Sequence, residues 1–228
     1  MNDLEKYFFN VSDKSIHKWR HYFDVYDLYF SKFRNRPITM LEIGVQRGGS
    51  LQMWRNYFHS DSTIVGIDVD STCKQHETNG VRVHIGSQND VRFIDELIAR
   101  YGSFDVIVDD GSHDNEHQVN TFSWMFNSVC DGGVYLIEDI HTSYIPAHGG
   151  GFKKTGTCVE FAKNLVDDVN MYMAMIDPTY YTNNVGGLHF YPGMIVIEKR
   201  KMEYTPYDLV CEGGKIVHLP EKVKIVAK

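Results

Sequence analysis

Four cysteines in 228 residues, at positions 73, 130, 158 and 211, are too few and too scattered for a disulfide framework. No Cys-x-x-Cys pair offers a zinc or redox motif, so reduced thiols and a cytoplasmic setting are expected. Basic charge is also short. Twenty-three Lys and Arg stand against 30 Asp and Glu, a formal charge of −7. That balance argues against a nucleic-acid binder working by phosphate attraction. No apolar run approaches the roughly 20 residues of a membrane span, and the charged stretch MNDLEK (1–6) does not read as a signal peptide. Repeats and low-complexity tracts are missing, and no Pro-rich linker marks a domain boundary. What is present, 43% hydrophobic and 23% charged residues, excludes disorder and fits one globular domain. The expected organisation is a helical prelude over 1–36, a core over 37–200 and a C-terminal extension over 201–228 that packs on it.

Hydrophobic periodicity fills in that outline. Ile16, Trp19, Phe23, Tyr26 and Phe30 recur at helical spacing, which predicts an amphipathic helix that seals a sheet edge, with folding over a ligand site as the alternative. Short apolar runs then alternate with helical patterns: strands over 38–45, 63–69, 81–85, 104–108 and 134–140, with helices between them. Such alternation predicts a parallel sheet wound by right-handed crossovers, and the near-continuous apolar run 104–108 reads as a central strand. After a Gly-rich loop (141–156), Val159, Ala162, Val166 and Val169 trace one more helix face. Met171, Met173 and Met175 alternate like a strand or core filler. The runs 186–190 and 194–199, separated only by Tyr-Pro-Gly, predict an antiparallel hairpin closing the sheet.

Two constellations carry chemistry. LEIGVQRGGS (41–50) is a glycine-rich strand-to-helix turn, where the backbone can approach a ligand and the helix presents unpaired N–H groups. Asp68, ending the second strand in VGIDVD, is placed to accept hydrogen bonds from ribose hydroxyls, so the pair points to a nucleoside. The spacing matches neither the dinucleotide fingerprint nor a phosphate-binding P-loop. The second constellation is VDDGSH (108–113) and IEDIHT (137–142), at the ends of the fourth and fifth strands. Asp110, Glu138 and Asp139 would repel one another in the same crevice, and a hard divalent cation resolves that repulsion. His113 stands beside that site as a proton acceptor, whereas Asp114 suits a helix N-cap and His117 reads as structural. Tyr22, Tyr144 and Tyr191 offer flat faces with polar edges for a saccharide.

LEIG-x-x-x-G-G-S followed by GID resembles the first two motifs of the class I S-adenosylmethionine (SAM) methyltransferases. The resemblance implies a seven-stranded Rossmann-like sheet with a final antiparallel hairpin. It also implies that Glu42 and Gly44 line the methionine end, Asp68 holds the ribose, and Ser87 and Gln88 lie by the adenine. Gly48, Ser50 and Asp109 count with these cofactor contacts. D-D-G-S-H-x-x-x-H, then G-G-x-Y-x-I-E-D, is similar to the metal-dependent macrolide-sugar O-methyltransferases of the mycinamicin and macrocin type. From that resemblance Asp110, Glu138 and Asp139 would ligate Mg²⁺ or another divalent cation, and His113 would be the general base. The large N-terminal domain of the mycinamicin-type enzymes has no counterpart in these 228 residues. The expected function is methylation of a sugar hydroxyl on a nucleotide-linked or glycosidic acceptor. No nucleic-acid or membrane partner is expected, and a homo-oligomer is left open. A catechol-type O-methyltransferase and a SAM-binding module without turnover are the alternatives.

Overall fold

The computed structural model describes residues 1–11, 15–202 and 210–218. Five parallel strands form in sequence: β1 (Thr39–Ile43), β2 (Thr63–Asp68), β3 (Val81–Ile85), β4 (Phe104–Asp109) and β5 (Val129–Ile137). The hairpin of β6 (Val185–Tyr191) and β7 (Met194–Lys199) joins β5 through an antiparallel β7. The order is β3-β2-β1-β4-β5-β7-β6. All six residues of β4 are buried, as its largely apolar sequence requires for a strand covered on both faces, and Asp105 within it is paired with Arg36 and the Thr39 N–H. After β3 the chain crosses back to lay β4 against β1, so the connections diverge above the carboxyl ends of these two strands. That is where open α/β sheets bind ligands.

Among the described residues six α-helices cover the two faces: α1 (Asp3–Asn10), α2 (Tyr22–Phe30), α3 (Gly49–Tyr57), α4 (Val91–Tyr101), α5 (Asn115–Met125) and α6 (Cys158–Asn170). On one face α1, α2 and α3 bury an aromatic cluster of Tyr26, Phe30, Trp54 and Phe58 against β1, β4 and β5. On the other, α4, α5 and α6 pack Ile94, Leu97, Phe122 and Leu165 against the same sheet. Among the described residues no helix is long and apolar enough to cross a membrane.

Three local expectations are corrected. The prelude is not one helix from Ile16: residues 15–20 form an irregular strap between α1 and α2, and Trp19 is 55% exposed rather than packed. In α6 the buried face runs through Cys158, Val159, Ala162 and Leu165, leaving Val166 exposed, because Leu165 completes the i, i+4, i+7 stripe that starts at Cys158. The methionine stretch is a turn after α6, with Met173 and Met175 exposed, so its alternation reflects neither strand nor core. In the C-terminal extension, β8 (Val210–Glu212) and β9 (Lys215–His218) form a two-stranded sheet of their own. The expectation that 201–228 packs on the core falls largely on residues outside the described set.

Candidate active site

The turn from β1 to α3 departs from ordinary backbone at two glycines. Gly44 has φ +93°, and a Cβ there would lie 2.1 Å from the carbonyl oxygen of Asp110. Gly48 has φ +71°, and a Cβ would fall 2.3 Å from the His76 ring. Only glycine allows both the left-handed dihedrals and these close approaches. Asp68 then fixes the turn: its Oδ2 accepts from the Val45 and Gln46 N–H groups, each at 2.9 Å, and its Oδ1 from the Asp70 N–H. Burial alone would raise the Asp68 pKa, but these backbone donors outweigh it and hold the carboxyl below its ordinary value. The turn forms one wall of a cleft of about 750 Å³ that runs past Asp68 and Asp70 to Asp110, His113 and Asp139.

Asp110 and Glu138 arrive there because the ladder continues past the strand ends. The Asp110 N–H donates to the Ile43 carbonyl and the Glu138 N–H to the Asp109 carbonyl. Asp139 and His113 both adopt left-handed backbone, with φ +53° and +56°, a conformation that costs roughly 1–3 kcal/mol in a non-glycine residue and clusters at functional sites. His113 Nε2 lies 3.9 Å from Asp110 Oδ1 and 3.7 Å from Asp139 Oδ2. Donor atoms of these three residues fall within 4.8 Å of one another, a spacing and an oxygen-nitrogen set that fit a divalent ion. His113 Nδ1 is buried with no hydrogen-bond partner.

The strap completes the site. Lys18 Nζ, wholly enclosed, donates to Asp110 Oδ2 at 2.6 Å and to both oxygens of Glu138 at 3.0 Å, and lies 3.5 Å from Glu42 Oε1. Burial opposes the Lys18 charge, but Asp110, Glu138 and Glu42 overcome it and hold its pKa well above that of an ordinary lysine. Glu138 Oε1 also accepts from the Tyr26 hydroxyl. Asp139 Oδ1 accepts from Trp19 Nε1 at 3.1 Å and from the Tyr22 hydroxyl at 2.7 Å. Glu42 lies beneath the cleft, accepting from Ser50 Oγ and Trp54 Nε1, and burial raises its pKa.

The candidate residues therefore separate into groups. Gly44, Ser50, Asp68, Asp110, His113, Glu138 and Asp139 line the cleft. Gln88 and Asp109 are buried behind it: Gln88 Nε2 donates to both Asp109 oxygens, and its Oε1 accepts from the Ser112 N–H. Burial lifts the Asp109 pKa to about 7. Ser87 turns inward on the Asn89 N–H. Asp114 caps α5 by accepting from the Glu116 and His117 N–H groups, and His117 Nδ1 pairs with Ser112 Oγ. Of the three tyrosines expected to face a saccharide, Tyr22 is committed to Asp139 and Tyr191 to the Tyr29 hydroxyl, while Tyr144 remains half exposed. Lys18 does not stand out in the sequence, and Trp19 stands out only within the helix expected to seal the sheet edge or fold over a ligand site. Trp19 looked like part of an apolar stripe, and Lys18 meets its partners across separations of 92 and 120 residues.

Comparison with known proteins follows the same lines. The methyltransferase-domain family matches residues 41–140. Demethylmacrocin O-methyltransferase of Streptomyces fradiae is 39% identical over 189 residues, covering 76% of this chain and 47% of that one. Mycinamicin VI 2''-O-methyltransferase of Micromonospora griseorubida is 37% identical over 209 residues, covering 86% and 50%. The chain thus spans about half the length of these relatives. A methyltransferase of the mycinamycin biosynthetic pathway, solved with Mg, SAH and mycinamycin VI, superposes with TM-score 0.79 at 34% identity, over 88% of this chain and 54% of that one. An O-methyltransferase from Bacillus cereus, 14% identical with TM-score 0.52 over 87% and 90% of the two chains, shares the fold. The chain has the class I methyltransferase fold, carries a methyltransferase domain over residues 41–140, and belongs to the family of the demethylmacrocin and mycinamicin VI O-methyltransferases.

Proposed function

We propose that the chain transfers a methyl group from SAM to a hydroxyl of a sugar-containing acceptor with the help of a divalent cation. The observation that carries this reading is the convergence of the carboxylates Asp110, Glu138 and Asp139 at the mouth of the glycine-turn cleft, with His113 Nε2 facing two of them. The chain's relatives include a demethylmacrocin O-methyltransferase, a mycinamicin VI 2''-O-methyltransferase and a methyltransferase of a rhamnosyl tetracenomycin, and a similar structure is solved with Mg, SAH and mycinamycin VI, which supports the reading. In this reading Gly44, the Val45–Gln46 turn and the end of β2 around Asp68 and Asp70 receive the cofactor. Glu42 and Ser50 brace the methionine end, while Gln88 and Asp109 act from behind the wall. Asp110, Glu138 and Asp139 would hold the cation, which supplies Lewis acidity that lowers the pKa of a hydroxyl when bound.

A sugar hydroxyl is almost wholly un-ionised at neutral pH, so a group of the chain must take its proton. His113 Nε2, facing the two carboxylates, accepts it as the oxygen attacks the methyl carbon. The O–C bond forms while the S–C bond of the sulfonium breaks in line, leaving neutral S-adenosylhomocysteine, and the proton leaves from the imidazole to solvent. The acceptor approaches from the open side. There Trp19 is half exposed beside His141, and Tyr144 packs near the exposed Phe152, offering flat faces to a pyranose ring.

The test joins binding to turnover. Calorimetry should show SAM and S-adenosylhomocysteine binding in the micromolar range, with NAD and ATP failing to bind. Methyl transfer to members of a panel of nucleotide sugars and glycosides should require a divalent ion and stop in EDTA. Absence of SAM binding overturns the whole reading, full activity in EDTA removes the cation, and faster turnover of simple catechols than of every sugar replaces the acceptor.

A further inference from the structure

The three carboxylates assigned to the cation are already held by one short segment. Lys18 takes Asp110 Oδ2 and both oxygens of Glu138, and Trp19 and Tyr22 take Asp139 Oδ1. We infer that Lys18 is a tethered cation competing with the divalent ion for Asp110 and Glu138, so that seating the ion requires the 15–20 strap to withdraw its ammonium. This rests on the cation site proposed above.

The geometry leaves little room for both cations on the same oxygens. An ion bonded directly to Glu138 and to Asp110 Oδ2 would meet an ammonium already within 3.0 Å of all three oxygens. Direct metal–oxygen bonds are roughly 2.0–2.6 Å long, and two cationic centres sharing those acceptors in a dry site repel strongly. The ammonium and the ion also answer the same need. Glu42 and Glu138 are fully buried, and Asp110 adds a third negative charge beside them. A cation there offsets that repulsion, and the chain supplies its own in Lys18.

The strap is built to be released. Residues 15–20 lie in neither helix nor strand, and the Trp19 and Arg20 side chains are largely exposed. Apart from Ile16, which packs on the aromatic cluster, its hold on the site comes from Lys18 and Trp19 on carboxylates rather than from a backbone ladder, so loss of those acceptors loosens it. Because Trp19 and Lys18 are neighbours on different carboxylates of one cluster, an ion at Asp139 and Glu138 disturbs both contacts together. Lys18 would therefore set how tightly the chain takes up its metal, and metal uptake would open the side of the cleft from which the acceptor enters.

Mn²⁺ titration of the whole chain by calorimetry, at fixed ionic strength, tests this without turnover. Lys18→Met should bind Mn²⁺ about tenfold or more tightly than the parent, within the range typical of coupled sites. Arg20→Met removes a charge from the same strap but from a solvent-exposed position, where screening keeps its effect small, so its affinity should change about twofold or less. In the parent, hydrogen exchange over residues 15–22 should quicken when Mn²⁺ saturates the site, a readout that needs no variant. A folded Lys18→Met that binds Mn²⁺ no more tightly than the parent, with strap exchange indifferent to the ion, overturns the competition and makes Lys18 a permanent brace. Mn²⁺ binding by neither protein would remove the cation from the proposed function and this inference with it. Binding by the parent with no gain in the variant would remove this inference alone.

Discussion

His113 illustrates how much of the site rests on single residues. Its left-handed backbone turns Nε2 toward Asp110 and Asp139, so its loss should damage chemistry more than binding. His113→Ala should lower kcat by about 10²–10⁴, the usual share of general-base catalysis, and leave SAM affinity unchanged by calorimetry. Retained wild-type turnover would move the base elsewhere. Gly44 is the opposite case, with no side chain and no tolerance for one. Gly44→Ala places a methyl 2.1 Å from the Asp110 carbonyl at φ +93°, a strain on the order of 1–3 kcal/mol before the clash is relieved. Thermal unfolding should show the loss of stability, and SAM binding should fall with it, since the displaced turn carries the Val45 and Gln46 N–H groups.

At the scale of elements, sequence and structure agree where the signals are local. Asp114 caps α5 as its place after Gly-Ser-His implied, and Asp114→Ala should cost about 1 kcal/mol of unfolding free energy in urea, the usual worth of an N-cap. The strands β1 to β4, the closing hairpin and the placing of Asp110, Glu138 and Asp139 at strand ends were legible for the same reason: short, mostly apolar or alternating runs, separated by helical patterns and glycine turns, admit few other topologies. What escaped was non-local. Lys18 and Trp19 belong to the site because carboxylates more than 90 residues away attract them, and no periodicity encodes that attraction. Ile16 and Trp19 extended the stripe of α2 by chance of spacing. The buried pairing of Gln88 with Asp109 was hidden likewise, since a polar residue beyond a strand reads as surface until the neighbouring loop folds over it.

Across the whole molecule, the sheet separates stability from chemistry. Lys199, at the end of β7 remote from the cleft, is held by the Phe126 carbonyl and the Tyr180 hydroxyl, and burial lowers its pKa to about 8. Below that pH the folded and unfolded chains both carry the proton. Between about 8 and the ordinary 10.5 the unfolded chain binds more of it, so this residue's contribution favours folding increasingly as pH rises. Urea titrations at pH 7 and pH 9.5 should therefore show the parent gaining stability relative to Lys199→Met. A constant difference would mean that Lys199 titrates normally. The near-contact of Gly44 with Asp110 has its own reach. It makes the partition between the two halves of the cleft one backbone thick, so in the proposed reaction the distance from methyl donor to acceptor is set by strand register, with no hinge between them. Breathing of the cleft is left to the strap and to the 140–156 segment. A chain with this architecture would change its choice of acceptor by rewriting those two margins, while the partition stays as it is.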